Sequence, residues 1–216
     1  DGLAVGSALN ALSGDSSLEI LTAGPDSAGP MSMGDIDGDG DLDLFVGGRT
    51  RKNDPYLAIS STVYLNTPDG FTPMKESGVI QNIGAVSGSV FSDLDNDDDL
   101  DLILARQWNS PLVLINDNGT FSDQTTQWGL SKFHGLWNGL TTGDFNADGR
   151  MDILLTNVGR NSRYREHLAE EIWLHVADFN QDGIVEGIES VWDPFLGKRV
   201  PVRGRLALAK VLPWVA

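Results

Sequence analysis

Nine residues, Asp35-Ile-Asp-Gly-Asp-Gly-Asp-Leu-Asp43, return in altered form three more times along the chain. The other copies are Asp93-Leu-Asp-Asn-Asp-Asp-Asp-Leu-Asp101, Asp144-Phe-Asn-Ala-Asp-Gly-Arg-Met-Asp152 and Asp178-Phe-Asn-Gln-Asp-Gly-Ile-Val-Glu186. They begin at 35, 93, 144 and 178, so the spacings are 58, 51 and 34 residues. Periods of that size describe an array of small supersecondary units that cannot bury their faces alone and must stack on one another.

Every copy carries an oxygen-bearing side chain at positions 1, 3, 5 and 9. Ca²⁺ takes 6 to 8 hard oxygen ligands at ~2.3–2.6 Å, and one short loop wound around the ion supplies most of them. The chain must then reverse at position 6, where a positive φ is cheapest for glycine. Gly40, Gly149 and Gly183 stand there, and Asp98 departs from the pattern with a residue that still tolerates the left-handed region. Position 7 would contribute a backbone carbonyl, which frees its side chain to be Asp41, Asp99, Arg150 or Ile184. A solvated acidic run would explain the charge but not the detail. Position 2 is apolar throughout (Ile36, Leu94, Phe145, Phe179), which predicts a repeated buried contact. The residue before the loop is small throughout (Gly34, Ser92, Gly143, Ala177), which predicts a tight approach.

The loops also account for most of the charge. They hold 17 of the 31 acidic residues, and four bound Ca²⁺ would halve a formal charge of −16. That sign disfavours nucleic acid and anionic membranes as partners. There is no Cys, which excludes disulfides and thiolate metal sites. Calcium loops of extracellular modules work at ~10⁻⁴–10⁻³ M, far above cytosolic calcium. The reading is therefore an extracellular, cell-surface or periplasmic chain. No signal peptide opens it and no apolar run approaches transmembrane length, so no membrane insertion is expected.

A short apolar run follows each of the first three loops, Leu42-Asp-Leu-Phe-Val46, Leu100-Asp-Leu-Ile-Leu104 and Met151-Asp-Ile-Leu-Leu155. Apolar residues at successive positions predict strands covered on both faces. Val63-Tyr-Leu-Asn66 with Gly70-Phe71 parallels Val113-Leu-Ile-Asn116 with Gly119-Thr-Phe121, each a strand, a turn and a second strand. Asn118-Gly-Thr120 reads as the hairpin turn rather than as a glycosylation site. With 40% hydrophobic residues the chain can bury a sizeable core. Several short strands per unit of ~50 residues favour an all-β propeller over a sandwich, with about four blades or a partial ring.

The expected divisions are 1–29, the tail of a preceding blade; 30–86, 87–136 and 137–170, blades with loops one to three; 171–200, a short unit with loop four; and 201–216, a C-terminal helical segment. Residues 157–171 are polar and irregular, expected as a loop with helical turns. Arg205-Leu-Ala-Leu-Ala-Lys-Val-Leu212 predicts a short amphipathic helix ended by Pro213. The basic residues Lys198, Arg199, Arg203 and Arg205 read as a solvated face.

In these residues the chain resembles the FG-GAP/VCBS repeat family, whose calcium-dependent propeller blades also build integrin α-subunit heads. Gly34-Asp-Ile-Asp-Gly-Asp-Gly-Asp-Leu-Asp-Leu44 carries the resemblance most clearly, and it spans roughly residues 30 to 190. The run from Trp137 to Pro213 also resembles bacterial secreted VCBS-repeat proteins related to cartilage acidic protein. The resemblance implies calcium ligands at Asp35, Asp37, Asp39 and Asp43; Asp93, Asp95, Asp97 and Asp101; Asp144, Asn146, Asp148 and Asp152; and Asp178, Asn180, Asp182 and Glu186, for three to four ions. Family members often close with about seven blades, which implies that this chain is part of a ring, completed by a missing remainder or a partner, or else a smaller closed ring.

Two alternatives stay open. The window from Asp178 to Glu189 also fits an EF-hand loop with Glu189 at position 12, although an EF-hand needs a helix on each side. Function divides among a binding or adhesion module for a protein or glycan, a calcium-dependent polysaccharide lyase, and a structural segment of a larger secreted protein. A lyase needs a base in a cleft. The three His residues sit in no motif, His175 reads as an ordinary strand residue, and no catalytic or other cofactor-binding residue is assigned. Trp108, Trp128, Trp137, Trp173, Trp192 and Trp214 could form sugar platforms, but most are expected to be wedged between blades.

Overall fold

A computed structural model describes residues 9–13, 16–21, 27–51, 54–75, 78–158, 164, 171–210 and 212. The chain divides into two compact units, Asp1–Lys52 with Leu57–Asn157 and Asn53–Tyr56 with Val158–Ala216. Strands β1 (Leu9–Ser13) and β2 (Ser16–Leu21) form an antiparallel hairpin. β3 (Ser27–Gly34), β4 (Asp43–Thr50), β5 (Thr62–Thr67) and β6 (Gly70–Pro73) pair in sequence order as a four-stranded antiparallel sheet. The same order repeats in β7 (Val86–Ser92), β8 (Asp101–Asn109), β9 (Leu112–Asp117) and β10 (Thr120–Asp123). β11 (Gly135–Gly143) and β12 (Asp152–Asn157) make a hairpin whose first residues also pair with the end of β8.

In the second unit, β13 (Trp173–Ala177), β14 (Glu186–Asp193) and β15 (Lys198–Pro201) form a three-stranded antiparallel sheet. The turn α1 (Arg205–Leu208) follows. The architecture is all-β, with each acidic window connecting the first two strands of a blade-like sheet.

Within the first unit the blades pack face to face through alternate side chains of the second strand. Along β8, Leu102 and Leu104 join Phe45, Val63 and Ile36 of the preceding sheet in one core. Ile103 points the other way, with Val113 and Ile115, toward Leu140 and Ile153 of the following hairpin. A strand with partners on both faces has no polar side, so residues 43–48 and 101–106 are all buried, as the apolar runs predict. The approach is close because β3 carries small residues, Gly29, Ser32 and Gly34, where it meets β7 and the second loop. A Cβ added to Gly34 would lie 2.9 Å from Leu100 Cδ1 and 3.2 Å from the Phe91 ring. The Ser32 and Ser89 hydroxyls bond across the same seam at 2.6 Å. That seam is the physical reason for the small residue before the first loop.

Several expectations are corrected. β12 is not covered on both faces: Leu154 is 54% exposed, as are Met151 (41%) and Phe145 (60%). Ile36 and Leu94 are buried because the next sheet of the same unit packs on them, and no further sheet of that unit does so for Phe145. The C-terminal helix is a single turn with no buried residue, since Leu206 faces solvent. Pro213 and Trp214 lie outside the described residues, as do nearly all of 159–170. Trp128 does pack against the core, but Trp173 and Trp192 are half exposed, and the Arg199 guanidinium stacks 4.0 Å from the Trp173 ring.

Leu104 is fully buried between two sheets, so Leu104→Ala is expected to cost about 2–5 kcal/mol in chemical denaturation. Leu206→Ala, at an exposed position, should shift stability by less than about 0.5 kcal/mol.

Candidate metal centres

All four windows fold into one conformation, dictated by side chains that bond their own backbone. The position-1 carboxylate accepts the position-6 amide at 2.9–3.2 Å in every copy, from Gly40, Asp98, Gly149 and Gly183. The position-5 carboxylate accepts the position-7 amide, from Asp41, Asp99, Arg150 and Ile184. These bonds wind the chain inward. They require left-handed backbone at position 6, where φ is 93° at Gly40 and 73° even at Asp98. Position 4 is left-handed as well, at Gly38, Asn96, Ala147 and Gln181, which sequence reasoning missed because Ala and Gln give no signal of it.

Position 9 closes the loop. Asp43, Asp101, Asp152 and Glu186 each accept the amide of position 2 at 2.7–3.0 Å. In the first two blades the second oxygen accepts an amide from the third strand, Asn66 to Asp43 at 2.8 Å and Asn116 to Asp101 at 2.9 Å. Both donors are the penultimate residues of their strands, and both are Asn, a recurrence whose role was not read from the sequence. Asp99 has an unexpected task too: its Oδ2 accepts the Asn118 amide in the β9–β10 turn at 2.7 Å. That turn has φ of 50° at Asn118 and 83° at Gly119, the type I′ geometry of a two-residue hairpin.

The residues present suit a hard cation. Carboxylate oxygens of Asp35, Asp37 and Asp39 lie within 4.8 Å of one another, as do those of Asp93, Asp95 and Asp101, and those of Asp178, Asp182 and Glu186. The third window does not bring Asp144, Asp148 and Asp152 to that spacing; its Asn146 bonds Asp148 instead, at 3.1 Å. Both Asp152 and Glu186 accept the position-2 amide, but only Glu186 also joins the carboxylate cluster of its own window. Among the described residues no Lys or Arg forms an ion pair with these carboxylates, although like charges this close repel strongly when partly buried.

Burial, opposed by the Asn116 and Leu94 amides and reinforced by the charges of Asp95 and Asp97, pushes the Asp101 carboxyl up to about 6. Burial likewise raises Asp43, against the Asn66 and Ile36 amides and with Asp37 and Asp39 adding to the rise. Asp95 is raised by desolvation and then by Asp97 and Asp93.

The fourth window is flanked by β13 and β14, strands rather than the helices an EF-hand requires. Glu189 lies on β14 and is buried, accepting the Tyr164 hydroxyl at 2.8 Å, with Arg203 Nε at 3.8 Å. His175 sits on β13 and shares a 2.8 Å bond with the Ser190 hydroxyl.

Repeated antiparallel blades, each opening on a wound acidic loop, define a propeller-type repeat protein. The chain belongs to the FG-GAP-like repeat family, whose model matches residues 35–104 and again 93–155, together more than half of its length. Comparison with curated proteins and with solved structures finds no significant match. No helix among the described residues is long and apolar enough to cross a membrane.

A raised carboxyl pKa means that the folded state holds its proton more tightly than the unfolded chain does. For Asp101 the contribution is complete below the unfolded value of 3.8 and is lost as pH rises through about 6. In excess chelator the melting temperature should therefore fall between about pH 4 and pH 7, and Asp101→Asn should flatten that slope. A saturating cation should reverse it, because the ion competes with the proton.

Proposed function

We propose that this chain is a calcium-stabilised extracellular module that binds a protein or glycan ligand through loops at the edges of its blades. The observation that carries the calcium reading is the convergence of three carboxylates in three of the four windows. The donors are all oxygen, the set that hard cations take, and winding five positions around one point suits the large, flexible shell of Ca²⁺ better than the small octahedron of Mg²⁺. Family membership supports the same reading, since its two matches begin at residues 35 and 93, the first acids of the first two loops. Extracellular placement belongs to the same reading, because calcium sites of extracellular modules, at ~10⁻⁴–10⁻³ M, fill only outside the cytosol.

The ions act as scaffold in this reading. A site of ~0.1–1 mM affinity in ~2 mM calcium contributes roughly 0.6–1.8 kcal/mol, and four independent sites about 3–7 kcal/mol. That is comparable to the ~5–15 kcal/mol by which a whole domain is stable.

Ligand recognition is assigned to the blade edge opposite the acidic loops, where β8 turns into β9. Trp108 is a bulge there, left unpaired between Gln107↔Leu136 and Asn109↔Gly135, with φ of 59°. A bulky residue in that conformation is costly, and such strain concentrates where a side chain is re-aimed for use. The buried Arg106 braces the turn through bonds to the Ser110, Ile83 and Pro111 carbonyls.

Calorimetry should count three to four Ca²⁺ per chain, and fewer than two at millimolar calcium would refute the reading. Chelation should lower the melting temperature strongly, with poor rescue by magnesium. On a glycan and cell-surface array, Trp108→Ala should weaken binding while leaving calcium stoichiometry intact; undiminished binding would move the ligand surface elsewhere.

A further inference from the structure

We propose that Asn116 couples the ion loops of neighbouring blades, so that filling the second loop raises the affinity of the first. The inference rests on the reading of these loops as calcium sites and adds a positioning residue that touches no ion. Asn116 is fully buried on β9 and lies 80 residues from Ile36 in sequence. Its Nδ2 donates to the Ile36 carbonyl at 2.9 Å and to the Leu100 carbonyl at 3.3 Å, while its Oδ1 accepts the Gly119 amide at 2.9 Å. Its own amide donates to Asp101 Oδ1.

Ile36 is position 2 of the first loop, and its amide donates to Asp43, which closes that loop. One line of hydrogen bonds therefore runs from the closing carboxylate of the second loop, through Asn116, to the closing carboxylate of the first. A buried carboxamide has a fixed planar set of two donors and one acceptor, so satisfying the Ile36 and Leu100 carbonyls and the Gly119 amide together leaves it one orientation. An ion that orders Asp101 fixes the Asn116 backbone and with it the carbonyl end of the Ile36 peptide. Without that ion, repulsion among Asp93, Asp95 and Asp101 loosens Asp101, and the hold on the first loop relaxes.

Asn66 supplies the internal comparison. It occupies the same place on β5 and its amide donates to Asp43 in the same way, but it is only half-buried and its side chain makes no hydrogen bond among the described residues. The coupling thus belongs to Asn116 and not to the third-strand Asn as such.

The test is hydrogen exchange of the full chain against free Ca²⁺, reading the midpoints at which segments 35–44 and 93–102 become protected. Asp95→Ala removes one carboxylate of the second cluster without touching the hydrogen-bond line. It should raise the calcium midpoint of segment 35–44 by on the order of fivefold. In an Asn116→Ala background the same substitution should move it by less than about twofold, whereas an Asn66→Ala background should keep the on-the-order-of-fivefold response. A response undiminished by Asn116→Ala would overturn the proposal, as would no response to Asp95→Ala in the parent chain. Should Asn116→Ala not fold, Asn116→Ser keeps a hydroxyl near Gly119 yet is too short to span to Ile36, and reads the same way. If neither segment responds to calcium in the parent chain, the calcium reading itself fails and the coupling falls with it.

Discussion

The closing carboxylate at position 9 is the interaction on which the rest of the fold depends. It satisfies a buried amide within its own loop and, in the first two blades, an amide from the third strand. A buried charge is tolerable only when its oxygens are occupied, and here the partners are backbone groups that would otherwise be orphaned where two strands diverge. The same residue therefore sets the loop's curvature and the register of β4 against β5, or of β8 against β9. Its exposure near zero at Asp43 and Asp101 makes it the point where ion chemistry meets the apolar core.

From that point the packing follows. A loop wound tightly on itself lets the first strand leave beside the second with no slack, and position 2 turns its apolar side chain into the seam with the next sheet. Ile36 and Leu94 enter two different cores, one on each side of the second blade. Stacking of this kind makes each blade the lid of its neighbour's core, so stability in the first unit is shared between blades rather than owned by any one.

The loops, the strand pairing within blades and the two-sided burial of β4 and β8 were legible in the sequence, because each rests on local chemistry: acidic spacing, a reversing residue, an unbroken apolar run. What was not legible depends on neighbours. Phe145 repeats the pattern of Ile36 but lacks the covering sheet, so identical spacing gives opposite exposure. The Asn66 and Asn116 positions were visible as a recurrence whose meaning needed the partner loop in space. The C-terminal segment had the apolar content of an amphipathic helix, yet eight residues are marginal for a helix: one turn forms over Arg205–Leu208, with Leu206 in solvent and Leu212 buried.

The bond from Asn116 to Ile36 has a temporal side. Its two ends are separated by 80 residues, and the stretch between them must form β4 to β8 before the ends can meet. Contacts of such high sequence separation form late, after the entropy of closing the intervening chain has been overcome. The first acidic loop can therefore wind early but reaches its final shape only after the second blade has docked, so during synthesis from the N-terminus this loop waits one blade for its completion.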